Sequence, residues 1–278
     1  MARAHTLTLR LGTVALACRG LDFPLVGARM VLDRFAADCS PDVTVDIIHG
    51  DLSEWEWRRS EVLSWDMDEP HRLLRMEMQE WTATFDLAAR RVTARLGGPW
   101  PRAVETLLKV AVQLFGLELR KGLTFHSSSV DSAGRGYVFT GRSETGKSTA
   151  ARLSEETGRT VLTEEITYVG PVEGSGTPCV HPIPVWNKSG LLSRPVAVPL
   201  KAIYALEQAQ VDRVEEIPRG EQVRRLAIAA SIGVRHRMMM ERALDLAEQL
   251  VERVPVHVLH FRKSPAFWDV IEPAGPAD

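Results

Sequence analysis

Gly141-Arg-Ser-Glu-Thr-Gly146-Lys147-Ser148-Thr149 is the stretch on which the fold turns. It has the form G-x-x-x-x-G-K-S/T, and its flanks agree with it. Gly136-Tyr-Val-Phe-Thr140 before it reads as a short buried strand, and Ser148-Thr-Ala-Ala-Arg-Leu153 after it opens a helix. A strand, a glycine-rich turn and a helix N-terminus are the parts that anion binding needs. The glycines let backbone N–H groups close round a polyphosphate, and unsatisfied amides at the helix start add positive potential. In such a loop Lys147 reaches the terminal phosphates and the Ser148 hydroxyl ligates magnesium. The alternative is a Gly/Ser turn that binds nothing, but eight consecutive matching positions with both flanks correct argue against it. A nucleoside triphosphate is the expected ligand, with Gly141, Arg142, Ser143, Glu144, Thr145, Gly146, Lys147, Ser148 and Thr149 as its contacts.

Outward from the loop, the pattern alternates strand and helix. Pro101 to Lys121 reads as a long helix with Val104, Leu107, Leu108, Ala111, Val112, Leu114, Phe115 and Leu119 on a broad apolar face, and proline suits its first turn. Leu123–His126 and Val130 read as strand, followed by the loop, a helix over Ser148–Thr157 and a strand over Thr160–Val169. Strands are expected at Lys201–Leu206 and Val256–Phe261, and helices at Gly220–Ser231 and Met238–Val254. This order predicts an α/β nucleotide-binding domain over residues 99–272, with residues 273–278 a disordered tail.

Upstream of Gly97-Gly-Pro-Trp-Pro101 the pattern is one of short strands: Thr6–Arg10, Thr13–Cys18, Val43–Ile48, and a hairpin of Trp81–Phe85 with Arg91–Leu96. Leu25–Ala37 has helical spacing. Residues 1–98 therefore read as a smaller, strand-rich α+β domain, open to a role in substrate recognition. Trp55, Trp57, Trp65, Trp81 and Trp100 crowd this half. They fit either a stacking surface or a core, and the weight of aromatics in burial energetics favours core.

Bulk properties narrow the class. The 278 residues carry a formal charge of −2, with 45% hydrophobic and 25% charged residues, ordinary for a globular protein. Nothing in that balance calls for nucleic acid or an anionic membrane as partner. Cys18, Cys39 and Cys179 lie far apart, match no metal-ligand spacing and read as small apolar residues in a reducing compartment. No apolar run approaches the roughly 18 residues that span a bilayer, and the N-terminus lacks a signal-peptide hydrophobic region. A cytoplasmic protein is the simplest expectation.

Two further features lie near the loop in sequence. His126 ends a predicted strand, and Glu164 and Glu165 sit inside Val161-Leu-Thr-Glu-Glu-Ile-Thr-Tyr168. Phosphoryl transfer is mostly positioning and charge neutralisation, and it uses a carboxylate on magnesium and a group that takes the hydroxyl proton. Two adjacent acids in an apolar strand are costly unless they meet a metal or donors. Neighbouring strand residues face opposite ways, so one glutamate is expected to enter the site squarely and the other at its edge. A solvated edge strand or a salt-bridged pair is the alternative. Elsewhere, Arg235, His236 and Arg237 form a basic turn that suits either an arginine finger or helix capping. Lys188 and Arg194 lie in a punctuated loop that suits a lid or plain solvent.

His126-Ser-Ser-Ser-Val130, Gly136 to Thr149 and Gly158-Arg-Thr-Val-Leu-Thr-Glu-Glu-Ile-Thr167 together resemble the catalytic domain of HPr kinase/phosphorylase and its relatives. Pro199-Leu-Lys-Ala-Ile-Tyr-Ala-Leu206 and Arg253-Val-Pro-Val-His-Val-Leu-His-Phe261 resemble that family's closing strands, so the likeness covers roughly residues 120–272. It implies the phosphate-loop fold shared with phosphoenolpyruvate carboxykinase. It also implies an ATP- and magnesium-dependent kinase acting on a hydroxyl, with a serine in a small protein or peptide as acceptor. Some relatives modify ribosomally made precursor peptides, and others form ring-shaped oligomers. By the resemblance, His126 pairs with the catalytic carboxylate. Glu164 and Glu165 stand where the family has two adjacent aspartates, one the base and one on the metal side with Ser148. We assign Glu164 and Glu165 in that order, the order itself being open. Glutamate for aspartate adds a methylene, and a misplacement of about 1 Å costs roughly a hundredfold in rate. A catalytically inactive nucleotide-binding regulator therefore stays open, as does a kinase for free serine or a sugar. Pro182-Ile-Pro-Val-Trp-Asn-Lys-Ser-Gly190 shows no glycine-rich signature of phosphorolysis, which argues against phosphorylase activity.

Overall fold

Period-two patterning in the first third of the chain folds as a sheet. In the computed structural model, residues 6–20, 32–49, 62–97, 100–172, 175–183, 196–230, 234 and 236–273 are described. They fall into two units, Met1–Lys121 with Ile232–Met239, and Gly122–Ser231 with Met240–Asp278. Unit 1 holds β1 (Leu7–Leu11), β2 (Val14–Arg19), β3 (Val43–His49), β4 (Val62–Asp68), β5 (Leu73–Met78), β6 (Trp81–Asp86) and β7 (Arg91–Leu96). They form one seven-stranded sheet in the order β1-β2-β3-β7-β6-β5-β4. The strands expected at 6–10, 13–18 and 43–48 and the hairpin β6–β7 are all there; β4 and β5 were not expected. Alternation puts Leu74, Met76, Trp81, Ala83, Phe85, Val92 and Ala94 on the buried face.

A sheet with one apolar face needs a cover. Helix α1 (Trp100–Glu118) supplies it, packing against β2, β6 and β7 through Val104, Leu107, Leu108, Ala111 and Phe115. Trp81 Nε1 donates to Thr106 Oγ1 at 2.9 Å, and Arg102 Nε to Glu80, a carboxylate only 1% exposed, at 3.1 Å. The helix read as opening the second domain thus belongs to the first unit, and the chain changes unit at Lys121/Gly122 rather than at 98/99. Trp81 is core, whereas Trp65 on edge strand β4 is 39% exposed and meets the His236 ring edge-on. Trp55, Trp57 and the side chain of Trp100 lie outside the described residues, as does most of the Leu25–Ala37 segment, although Leu32 and Phe35 at its end are buried.

Unit 2 follows with β8 (Leu123–Ser132), β9 (Arg135–Thr140), α2 (Lys147–Glu156), β10 (Thr160–Thr163), β11 (Ile166–Pro171), β12 (Pro178–His181), β13 (Val198–Gln208), β14 (Arg213–Glu216), α3 (Arg219–Ala229), α4 (Arg237–Val251), β15 (Val256–Phe261) and α5 (Phe267–Ile271). The first residues of α4 count with unit 1. The strands form a mixed eight-stranded sheet in which β13 runs parallel to both β9 and β15, and β8 runs antiparallel to β9. Tyr137, Phe139, Tyr204, Phe261, Phe267 and Trp268 pack as one aromatic core. Glu272 closes it by accepting from Ser132 Oγ, Tyr137 Oη and Arg159 Nη2, while the Arg159 guanidinium lies 3.9 Å over the Trp268 ring.

One expected element is cut in two. Residues 160–169 read as a single strand, yet β10 and β11 are separate, both antiparallel to β8, with Glu164 and Glu165 in the bend between them. The ladder runs Thr163↔Ser129 and resumes at Ile166↔His126, with the register slipping between Val161 and Thr163. All three cysteines are free, and burial pushes the Cys18 thiol up to about 12. Among the described residues no helix is long and apolar enough to cross a membrane. Residues 274–278, read as a tail, lie outside the described residues.

Candidate phosphate-binding cleft

Three parallel strands, β9, β13 and β15, bring their C-terminal ends to one edge of the unit 2 sheet, where α/β proteins place ligands. From β9 runs the loop 141–146 into α2. Two of its glycines are dictated by geometry. Gly141 has φ +153°, and a Cβ there would sit 2.6 Å from Thr145 Oγ1; Gly146 has φ +110°, and a Cβ would meet the Phe261 ring at 2.7 Å. Thr145 Oγ1 donates to Arg142 O at 2.9 Å, and Gln208, the last residue of β13, donates from Nε2 to Glu144 O at 2.9 Å. Ser128 Oγ on β8 donates to Lys147 O at 2.9 Å. The loop is thereby tied to its neighbours on both sides.

Gly146 is the N-cap of α2 and brings no capping side chain, so the first-turn amides are left to other acceptors. Lys147 is only 7% exposed, and burial lowers its pKa. Its Nζ donates to Gly141 O at 3.0 Å and Arg142 O at 2.8 Å, which holds the ammonium in the mouth of the loop.

His126, Glu164 and Glu165 share a cleft of about 300 Å3 with Ser143, Glu144, Gly146, Lys147, Ser148, Thr149 and Lys263. The expected histidine, acids, lysine and serine are thus brought together. Gly141, Arg142 and Thr145 do not line the cleft but shape the loop behind it. The acids are half-buried, and the bend carrying them is held by Ser127 N donating to Glu165 O at 3.0 Å. Below it, buried Ser129, Thr163 and Thr167 form a chain of hydroxyls at 2.9 and 2.7 Å. Of the other candidates, His236 belongs to unit 1, its Nε2 2.9 Å from Glu69, and neither it nor Arg237 lines the cleft. Arg235, Lys188 and Arg194 lie outside the described residues.

Sequence reading missed Lys263, Ser128 and Gln208. For Lys263 and Gln208 the only signal is position, just past β15 and at the end of β13, whereas Ser128 lies within β8, in the His126–Val130 stretch, with nothing in its type to mark its bond to the loop.

Among the described residues no three His, Cys, Asp or Glu side chains converge as a metal cage. Magnesium at phosphoryl-transfer sites is held by one or two carboxylates together with phosphates and water. The hard oxygen donors here, Ser148 with one or both glutamates, match that need.

The family described as SynChlorMet cassette protein ScmC matches residues 103–274, more than half of the chain. No curated protein sequence matches. Among solved structures, the Hpr(Ser) kinase/phosphatase from Coxiella burnetii is 10% identical, with 50% of this chain and 85% of that one covered and a TM-score of 0.24. At that level the likeness fixes neither the architecture nor the chemistry of this chain. By the extent of the family match, the chain belongs to the ScmC family of SynChlorMet cassette proteins.

Proposed function

We propose that unit 2 is a phosphate-loop kinase domain of the HPr kinase type, which uses ATP and magnesium to phosphorylate a hydroxyl. The acceptor we favour is a serine of a small protein or peptide, a ribosomally made precursor peptide being the leading class. The observation that carries the reading is the convergence of Lys147, Ser148, Glu164, Glu165 and His126 on one cleft at the ends of three parallel strands.

In this reading the first-turn amides of α2 and Lys147 hold the β- and γ-phosphates. Lys147 exchanges its two loop carbonyls for phosphate oxygens, a trade of one set of charge-assisted bonds for another. Ser148 and Glu165 would hold magnesium, which when bound neutralises charge on the phosphates. Glu164, oriented by His126, takes the proton as the acceptor oxygen attacks phosphorus and the bond to the nucleoside diphosphate breaks. The outer sheet face of unit 1, where Ile48, Trp65, Arg75 and Arg95 border a concavity of about 510 Å3, is the proposed recognition surface.

A second reading, a nucleotide-binding protein without transfer activity, is favoured by the glutamates standing where the resembling family has aspartates. One pair of experiments tests both. Magnesium-ATP at a hundred times its dissociation constant should add about 2.7 kcal/mol to wild type, several degrees of melting temperature, and nothing to Lys147→Ala. Given that shift, phosphorylated product from wild type but not from Glu164→Gln, at unchanged ATP affinity, supports the kinase. Absence of product with every hydroxyl acceptor would leave only nucleotide binding, and absence of the shift would remove both readings.

A further inference from the structure

Lys263 lines the cleft from an element that neither the loop nor the acid pair belongs to. It lies two residues beyond β15, whose last residue, Phe261, packs its ring beneath Gly146. The backbone at this point is fixed. Arg262 N and Nε donate to the nearly buried Asp212 carboxylate at 2.7 and 2.8 Å, and Ala209 N donates to Phe261 O at 3.1 Å. The Lys263 side chain itself is exposed and, among the described residues, makes no hydrogen bond or ion pair. Among the described residues, many basic side chains of unit 2 are spent on carboxylates: Arg159 and Arg135 on Glu272, Arg225 on Glu221 and Glu207, Arg262 on Asp212.

Charge makes that uncommitted ammonium consequential. The cleft is lined by the carboxylates of Glu144, Glu164 and Glu165 against the ammoniums of Lys147 and Lys263. A polyphosphate entering such a cleft meets repulsion that Lys147 alone does not cancel. A flexible point charge on a long stem, mounted on a rigid turn, is the form of cation that follows a phosphate oxygen.

We propose that Lys263 is a second phosphate-binding cation of this cleft and contacts the terminal phosphoryl group of a bound nucleoside triphosphate. The assignment rests on the nucleotide reading above. Lys147 and the first-turn amides belong to the loop itself, so they serve diphosphate and triphosphate alike; Lys263 comes from the turn after β15 and discriminates between them.

The test is equilibrium binding of magnesium-ATP and magnesium-ADP to wild type, Lys147→Ala, Lys263→Ala and Lys263→Arg. Being exposed, Lys263 can be truncated without disturbing the core. Lys263→Ala should weaken ATP about tenfold while leaving ADP within about twofold, as expected for loss of one charge-assisted phosphate contact. Lys263→Arg should keep the preference for ATP. Unchanged ATP affinity, equal losses for both nucleotides, or an arginine variant as weak as the alanine one would overturn the assignment. If wild type still binds ATP and Lys147→Ala does not, that failure belongs to Lys263 alone. Wild type binding neither nucleotide would overturn this proposal and the nucleotide reading together.

Discussion

Gly146→Ala, alone and combined with Phe261→Leu, probes the contact on which the cleft is built. A methyl group at 146 faces two obstacles. The backbone there has φ +110°, where an L-residue costs about 1–2 kcal/mol. The new carbon would also lie 2.7 Å from the Phe261 ring, closer than normal contact, and overpacking of this kind costs about 1–3 kcal/mol. A stiffer unfolded chain returns at most about 1 kcal/mol, so the single variant should lose about 2–4 kcal/mol. Phe261→Leu removes the ring edge and by itself costs about 1–2 kcal/mol in lost packing. The double variant should be less destabilised than the sum by about 1–2 kcal/mol, because one of the two obstacles has gone. Urea unfolding, followed by amide exchange in β9 and β15 peptides, reads this in unit 2. Magnesium-ATP binding should fall at least about tenfold in Gly146→Ala and stay low in the double variant, since the strained φ remains. Costs that add to within about 0.5 kcal/mol would refute the contact between Phe261 and the loop.

Three other outcomes are expected. His181 is buried, its Nε2–H donates to Gly170 O at 3.1 Å, and burial lowers its pKa below 6.5. The unfolded chain therefore takes up a proton that the folded one refuses, and unit 2 should lose stability as pH falls through about 6.5; a urea midpoint with no acid dependence, or an equal one in His181→Gln, would contradict this. Burial raises the pKa of Glu272, but hydrogen bonds from Arg159, Tyr137 and Ser132 outweigh it and leave the group lowered. Glu272→Gln should cost about 2 kcal/mol, with peptides covering α5 the first to exchange amide protons, and uniform exchange across unit 2 would argue against a local clamp. Glu164→Asp and Glu165→Asp separate the two functional readings. If the cleft is built round the longer acid, shortening either one should lower transfer about a hundredfold, whereas a gain of transfer on shortening would mean that the glutamates disable the site.

Much of unit 2 was legible because its signals are local. The stretch Val256–Phe261 is β15 without adjustment, and the helix read at Ser148–Thr157 is α2 shifted by one residue. What escaped was set by distant partners. Thr160–Val169 has the composition of one strand, and only pairing with β8 shows where its ladder breaks. The stretches β12 and β14 are strands because β11, β13 and β15 offer them edges, not because of their own composition. Helix α1 has an apolar face that fits either neighbour in the chain; the wide face of the unit 1 sheet decides where it packs. The pairings of Trp81 with Thr106 and Arg102 with Glu80 depend on that packing and leave no trace in spacing.

The broken ladder also bears on the acid pair itself. In an intact strand, adjacent side chains face opposite ways, so only one of Glu164 and Glu165 would reach the cleft. The bend lifts that restriction, and both line it. Such a break is costly unless the polar groups it frees find partners, since an unpaired buried donor or acceptor costs about 1–3 kcal/mol. Here Ser127 N takes Glu165 O, and the hydroxyls of Ser129, Thr163 and Thr167 bond to one another beneath the bend. The serines and threonines around the acids thus hold open a gap that strand pairing would otherwise close. On the kinase reading, a cleft lined by both carboxylates has room for a division of labour between them, one taking a proton and one facing the metal. On that reading an intact strand would leave a single acid to do both.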